Sequence, residues 1–519
     1  MTEIPRPVSG AAIASVPQNV IVILLDSLNR RMLGTYGGRE FETPNIDRLA
    51  ARSLVFERHY AGSLPCMPAR HDILVGALDF LWRPWGSIEV WEQSIVRSLI
   101  DAGVTTALIS DHPHLFESGG ENYHTDFTAW DYQRGHESDP WKTVPDPSWV
   151  GAPALPALTS SRKLHYDGSR TWFRSEEDFP GARTMRAAAD WLDVCAPAHD
   201  RFFLFVDEFD PHEPFDTPQP WASLYDPDWN GPRIIWPPYS TSTVKNGVLS
   251  EREARHVRAN YGSKLSFIDH WLGRLLDVLD RRQMWDYTAV ILLTDHGHYL
   301  GERDYFGKPA VPIFPEMGHI PMTVAWPGAA PRRVKALTTS VDIHATISDI
   351  FQVGAGDHRT HGRSLLPVVE GTEEQVREHL LTGIWGRHVQ VVDGQSMYAR
   401  SAAGENFPLA MWSNRWSTMP VGGFGEARLP RPDRRATIAF PPGTDVPVLR
   451  QPFQPGDRLP LWAWGAAADD HHLYDLVGDP DAEHNLAGTA GEANAVAKLV
   501  YALEEVSAPA EQFERLGLA

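Results

Sequence analysis

The 519-residue sequence has only two cysteines, Cys66 and Cys195. Two thiols cannot build a disulfide framework, so a small stapled scaffold is excluded. Long apolar runs are also missing: no stretch reaches the roughly 18–20 apolar residues that span a bilayer. The opening segment, residues 1–18, is a loose arm rich in Pro, Ala and Ser and lacks a long apolar core behind a basic flank. A cytoplasmic protein with no membrane partner is the expectation. Positive charge is scarce. Lys and Arg number 47 against 67 Asp and Glu, a net charge of -20, which argues against nucleic acid as a partner because a phosphate backbone is bound by clustered cations. It does not forbid an anionic substrate, since a few local cations and a metal can reverse the sign inside a cleft. No internal repeat is visible.

Apolar residues at 42% and charged residues at 22% are those of an ordinary globular enzyme. The length calls for a large α/β domain with an appendage. Asn19–Leu25 (NVIVILL) is a continuous apolar run, the pattern of a strand buried on both faces of a parallel sheet, and it ends in Asp26. Thr43 and Pro44 open a helix, and Leu54–Phe56 is a short strand. Helices are expected over Arg70–Gly76, Glu89–Ala102, Ala182–Val194 and Ser250–Arg281. Further strands are expected over Val104–Ile109, Arg201–Val206, Tyr287–Leu293 and Ile320–Ala325. Residues 116–180 read as a long insertion that shapes a substrate cleft. The alternation predicts a doubly wound, mostly parallel sheet with helices on both faces over 1–375. Composition shifts near residue 370. His388–Val392, an Asp393-Gly394 turn, Ser396–Arg400 and a helix over Glu492–Val506 then predict a smaller C-terminal α+β domain with an antiparallel sheet over 376–519.

Polar clusters fall at the predicted strand ends: Asp26, Asp111 with His112 and His114, His212, and Asp295 with His296. In a doubly wound sheet these ends converge on one rim. Two carboxylates and an imidazole would hold a divalent cation with an open position, which an oxyanion could fill. Cys66 lies in Pro65-Cys66-Met67-Pro68-Ala69-Arg70, between two prolines and four residues before an arginine. Free cysteines are mostly packed as small hydrophobes, but this local sequence is not core-like. The nineteen Trp fit core packing, or a cleft lined with rings for sugar or aryl groups.

The C-x-P-x-R of Cys66–Arg70 resembles the signature of the formylglycine-dependent sulfatases, in the alkaline phosphatase-like superfamily. The likeness extends over most of the chain: V-I-L-L-D to Asp26, T-P-N-I-D-R-L-A from Thr43, P-H-x-P-F at His212, T-D-H-G at Asp295, G-K at Lys308, G-R-S-L-L-P at Gly362 and L-Y-D-L at Leu473. The resemblance implies that a maturation enzyme oxidises Cys66 to formylglycine, whose hydrate attacks a sulfate ester. Asp26, Asp295 and His296 would bind one divalent metal, with the modified Cys66 completing the sphere. Calcium is usual in the family; manganese, magnesium and zinc are alternatives. Arg70 would favour the ionised hydrate, Lys308 would contact the sulfuryl or leaving oxygen, and His212 would protonate or orient the leaving group. The substrate would be a small-molecule or carbohydrate sulfate ester, and a homo-oligomer is left open.

Two departures bear on substrate. Ser27 stands where many sulfatases have a second acid, so a water or Asn29 is the expected substitute. Ser110-Asp111-His112-Pro113-His114 replaces the family's G-K-W-H, so His112 or His114 is expected to take over substrate binding from the missing lysine. Both changes resemble the branch containing phosphonate monoester hydrolases. A phosphonate monoester or phosphodiester hydrolase is therefore the alternative activity. A silent sulfatase-like binding protein, with Cys66 left as a thiol, is the non-enzymatic one. His319 is expected to be structural.

Overall fold

The computed structural model describes residues 15–148, 161–309, 311–354, 359–417, 419, 432–460, 462–463 and 470–519. Most of the N-terminal arm lies outside them. The molecule is built on an eight-stranded sheet. Its strands are β1 (Asn19–Leu25), β2 (Leu54–Tyr60), β3 (Thr105–Ser110), β4 (Ala129–Tyr132), β5 (Phe202–Glu208), β6 (Thr288–Leu293), β9 (Met322–Ala325) and β10 (Arg332–Thr339); β7 (Tyr299–Leu300) and β8 (Phe306–Gly307) form a separate two-stranded ribbon. The order is β10-β2-β9-β6-β1-β5-β3-β4. All neighbours are parallel except β9, which runs antiparallel between β2 and β6. The predicted run at 320–325 is thus a strand, but a reversed one. β10 and the helix over Val341–Phe351 are absent from the sequence reading.

β1 is wholly buried, and its alternate residues feed two cores. Ile21, Ile23 and Leu25 pack under α5 (Pro180–Asp190) and the long α6 (Glu251–Arg281). Val20, Val22 and Leu24 pack against α2 (Cys66–Val75), α3 (Ile95–Asp101) and the helix over 341–351. Period-two side chains on a sheet covered from both sides require this apolar continuity. α6 begins with a reciprocal cap between Ser250 and Glu253. The helix expected from Glu89 begins only at Ile95, capped by Ser94. Glu89 and Glu92 instead turn inward to Arg83, because a buried arginine needs carboxylate partners more than those residues need another helical turn. The 116–180 insertion is not structureless where it is described: it holds β4 and α4 (Ser161–Arg170).

The C-terminal segment carries β11 (Leu380–Gly383), β12 (Val389–Val392), β13 (Ser396–Arg400), β14 (Leu409–Trp412), β15 (Thr437–Ala439), β16 (Val448–Phe453) and β17 (His472–Asp475). They form antiparallel sheets ordered β11-β12-β13-β17 and β14-β16-β15. The core of the first sheet is shared with Leu78, Phe80, Leu81 and Trp82 from just beyond α2. Hydrophobic packing therefore runs continuously across residue 375. Among the described residues, no helix is long and apolar enough to cross a membrane.

Candidate active site

Three acids stand at the ends of the three central strands: Asp26 after β1, Asp207 as the last but one residue of β5 and Asp295 just after β6. All three are fully buried. α2 brings Cys66 to them as its first residue. Pro68 fits the first helical turn, where no intrahelical N–H bond is needed. Arg70, four residues on, lies below Cys66 on the same helix face, and its Nη1 donates to the Cys66 carbonyl at 3.1 Å.

Ligand atoms of Asp26, Cys66, Asp295 and His296 lie within 4.8 Å of one another. Cys66 Sγ is 3.3 Å from His296 Nε2. The Nδ1–H of His296 donates to the Gly297 carbonyl at 2.8 Å, which leaves Nε2 with a lone pair for the cluster. Asp295 Oδ1 accepts from the backbone of Ser27 at 3.0 Å and of His296 at 2.7 Å, so its other oxygen faces inward. Gly297 is required at its position: a Cβ there would lie 1.9 Å from the Glu316 carbonyl oxygen.

Arg70 is the counter-charge of the cluster. Its Nε and Nη2 donate to the two oxygens of Asp207 at 2.7 and 2.6 Å, and Nη1 donates to Asp295 Oδ2 at 3.0 Å. Nη2 also stands 3.0 Å from Asp26 Oδ2. It is aimed at Asp207, so that Asp26 oxygen has no well-directed donor. Burial, and then the charge of Asp295, push Asp26 well above the usual carboxylate range. Burial also raises Asp295, but His296 and Arg70 outweigh it and hold Asp295 far below. Burial, then Asp26, push the Cys66 thiol well up, so a cysteine here is a poor thiolate nucleophile. Burial brings His296 down to about 4. Three carboxylates face two cations, Arg70 and Lys308, in this shell. A divalent ion would turn that net negative charge positive, as an anionic ester requires.

Lys308 Nζ lies 3.8 Å from Cys66 Sγ and 2.8 Å from His212 Nε2. The Nδ1–H of His212 donates to the Glu213 carbonyl at 2.7 Å, so Nε2 accepts from Lys308. Burial, with the Lys308 charge adding to it against Glu213, holds His212 well below its ordinary value and neutral. His212 stacks on Phe209, ring centres 4.1 Å apart, and His112 packs on the same phenyl at 4.4 Å. His112 is fully buried, both its ring nitrogens lack hydrogen-bond partners, and it stands 3.9 Å from Asp207. His114 is engaged by Glu117 and, at 3.3 Å, by Glu137.

Asn29 does not replace the missing second acid. Its Oδ1 accepts from the Arg31 backbone and its Nδ2 donates to the His298 carbonyl. Ser27 Oγ donates to Asp26 Oδ1 at 2.7 Å. His319 stacks on Tyr60 and bonds the Glu57 carbonyl. The sequence reading gave Asp207 no role, yet it carries the signal that marks Asp26, an acid closing a continuous apolar strand.

The sulfatase family profile matches residues 18–353. The chain belongs to the sulfatase family. It is 26% identical over 417 residues to a choline-sulfatase of Rhizobium meliloti, covering 74% of this chain and 78% of the relative. It is 26% identical over 373 residues to the iduronate 2-sulfatase of Homo sapiens, covering 65% of each. In fold it resembles the phosphonate monoester hydrolase of Agrobacterium radiobacter, with a TM-score of 0.62, 18% identity and 96% of each chain covered. These likenesses place this sulfatase among the sulfuric ester hydrolases, within the alkaline phosphatase-like superfamily.

Proposed function

We propose that this sulfatase hydrolyses a sulfate ester using a formylglycine derived from Cys66 and one divalent metal ion. The observation that carries the reading is the meeting of Cys66, Asp26, Asp295 and His296 at ligand spacing beside Lys308. The donor set fits a hard ion. Asp26 offers an oxygen without a well-directed donor, and two carboxylates with an imidazole suit calcium, manganese, magnesium or zinc. A thiol sulfur is the soft member of that set, and an oxygen-bearing side chain at position 66 matches it better.

When bound, the ion and the hydrated aldehyde supply an electrophilic contact for the ester and a hydroxyl nucleophile with a second hydroxyl for release. The chain's own groups do the rest. Asp207 holds the Arg70 guanidinium rigid, so its positive charge stands beside position 66 and favours an ionised hydroxyl there. Lys308, gripped by neutral His212, places an ammonium where the leaving oxygen develops charge and can donate a proton to it. His112, with two unpartnered ring nitrogens, is the group next to this shell free to donate to a sulfuryl oxygen.

Two features support phosphonate monoester or phosphodiester hydrolysis as a second reading: Ser27 replaces an acid, and a histidine stands in for the sulfate-gripping lysine. The test has two parts. Peptide mass spectrometry of native protein should show residue 66 lighter than cysteine by about 18 Da, the change from thiol to aldehyde. Initial rates on matched aryl sulfate and aryl phosphonate esters should then favour the sulfate. Active protein carrying only unmodified Cys66 overturns the mechanism, and faster phosphonate turnover moves the chain to the second reading.

A further inference from the structure

Among the described residues, the cation in the turn between β11 and β12 has no counter-ion. Arg387 follows Gly386, whose φ of +75 suits glycine and where a Cβ would stand 2.9 Å from the Ala463 side chain. The turn is fixed on several sides. Arg387 N donates to the Ile384 carbonyl at 3.0 Å, Asn406 Nδ2 donates to the Gly386 carbonyl at 2.7 Å, and the Trp385 indole N–H donates to the Ala410 carbonyl at 3.2 Å. From this frame Arg387 Nε reaches the Trp462 carbonyl. Its Nη1 is shut off from solvent with no hydrogen-bond partner, and among the described residues no carboxylate pairs with it. Burial alone brings the guanidinium down to about 10. Buried charges are normally paired, since desolvation costs several kcal/mol per ion.

Trp462 carries a second anomaly. Its φ of +74 is rare for a bulky residue, and its indole N–H is buried without a partner. The residue is nevertheless part of the active-site wall. Trp462 and Ile384 line a small cavity together with Leu64, Pro65 and Lys308, and the Trp462 ring lies 6.3 Å from that of Tyr239. Two unsatisfied donors, one charged, therefore belong to residues that are bonded to each other, and one of those residues lines the cavity beside Lys308.

We propose that Arg387 and the Trp462 indole form a subsite for a second anionic group of the substrate, a carboxylate or an additional sulfate separate from the ester attacked at position 66. The inference rests on the reading of the Cys66 site given above. It assigns a binding role to the C-terminal segment and a chemical class to the substrate, a molecule bearing two separated oxyanions. Bound there, the second anion supplies the counter-charge that Arg387 lacks and accepts a hydrogen bond from the free indole N–H.

Equilibrium binding with non-hydrolysable sulfonates tests this without turnover. The metal-loaded wild-type protein is titrated with benzenesulfonate, meta- and para-sulfobenzoate and a longer sulfobiphenyl carboxylate, and disulfonate counterparts distinguish sulfate from carboxylate as the second group. At least one dianion should bind roughly 10-fold or more tightly than benzenesulfonate, the scale of a hydrogen bond to a charged group. Arg387→Gln should abolish that preference while changing benzenesulfonate affinity less than about twofold. Arg387→Lys should keep part of it, and Trp462→Phe, which retains the ring and removes the N–H, should weaken it. A wild-type protein with no preference for any dianion, or a preference that survives Arg387→Gln, overturns the subsite. Phenyl sulfate hydrolysis measured alongside separates the two levels: turnover with no dianion preference sinks the subsite alone, and absence of both turnover and benzenesulfonate binding sinks the Cys66 reading with it.

Discussion

Replacing Arg70 by methionine tests whether the guanidinium is the fixed counter-charge of the acid cluster. It bonds Asp207 twice, at 2.7 and 2.6 Å, and reaches Asp295 and Asp26 at 3.0 Å each, all without solvent exposure. Methionine has similar length and no charge, so packing is largely kept while three carboxylates lose their shared cation. Breaking a buried ionic network from one side costs about 3–5 kcal/mol. At the per-kcal shifts seen in smaller domains, reduced for a chain of this length, the melting temperature of metal-stripped protein should fall by roughly 3–10 °C. Adding the divalent ion should recover more than half of that loss, because the ion replaces positive charge at the same acids. Ion affinity measured by calorimetry should rise roughly 10-fold or more, since a repelling charge is gone, while turnover collapses. Equal destabilisation with and without the ion, together with unchanged ion affinity, would refute the counter-charge argument.

Cys66→Ala should abolish turnover and move the melting temperature by no more than about 3 °C, because the side chain is small and sits at a helix start; near-native rates would remove Cys66 from the reaction. Gly297→Ala places a Cβ 1.9 Å from a backbone oxygen and should displace His296, lowering kcat roughly 100-fold or more; unchanged kcat with unchanged ion content would show that the turn tolerates movement. Asp72 lies on the buried face of α2, accepts from Ser63 N and Oγ, and is pushed up to about 7, chiefly by burial. Its protonated form is favoured in the fold, so the stability it contributes is full below about pH 4 and is lost as pH rises to about 7. Asp72→Asn should therefore gain melting temperature relative to wild type across that window; a difference that stays flat with pH refutes the assignment.

Much of the fold was legible because the central strands are buried on both faces. A run such as NVIVILL has no other stable placement in a chain with helices on either side, and it matches β1 residue for residue. Edge elements were less legible. β10 buries only Val334 in its first half, RRVK, and its five charged or polar residues dilute the apolar signal. The helix expected from Glu89 was shortened by a demand no helical periodicity records: the buried Arg83, six residues earlier, needs both Glu89 and Glu92 as partners. At the site, motif residues converged because strand ends converge. Asn29 did not join them, since its side chain caps the short helical turn that begins at Arg30 and an amide used as a cap is not free to ligate.

The sheet order explains why acids from such separate positions meet. β6, β1 and β5 are adjacent and parallel, so residues at equivalent heights on three neighbours sit side by side, about 5 Å apart per strand. Continuing that register puts Asp26 level with Asp295, while Asp207 pairs with Leu24, two residues below Asp26 and on the same side of the sheet; α2 passes them with Cys66 and Arg70 on a single face. The like charges this creates would repel without Arg70, which makes the arginine of C-x-P-x-R as much a condition of the acids' burial as a participant in chemistry. The spacing of that motif thus follows from two requirements met by one helical turn: a reactive side chain at the open end and a cation one turn below it, bridging three strands.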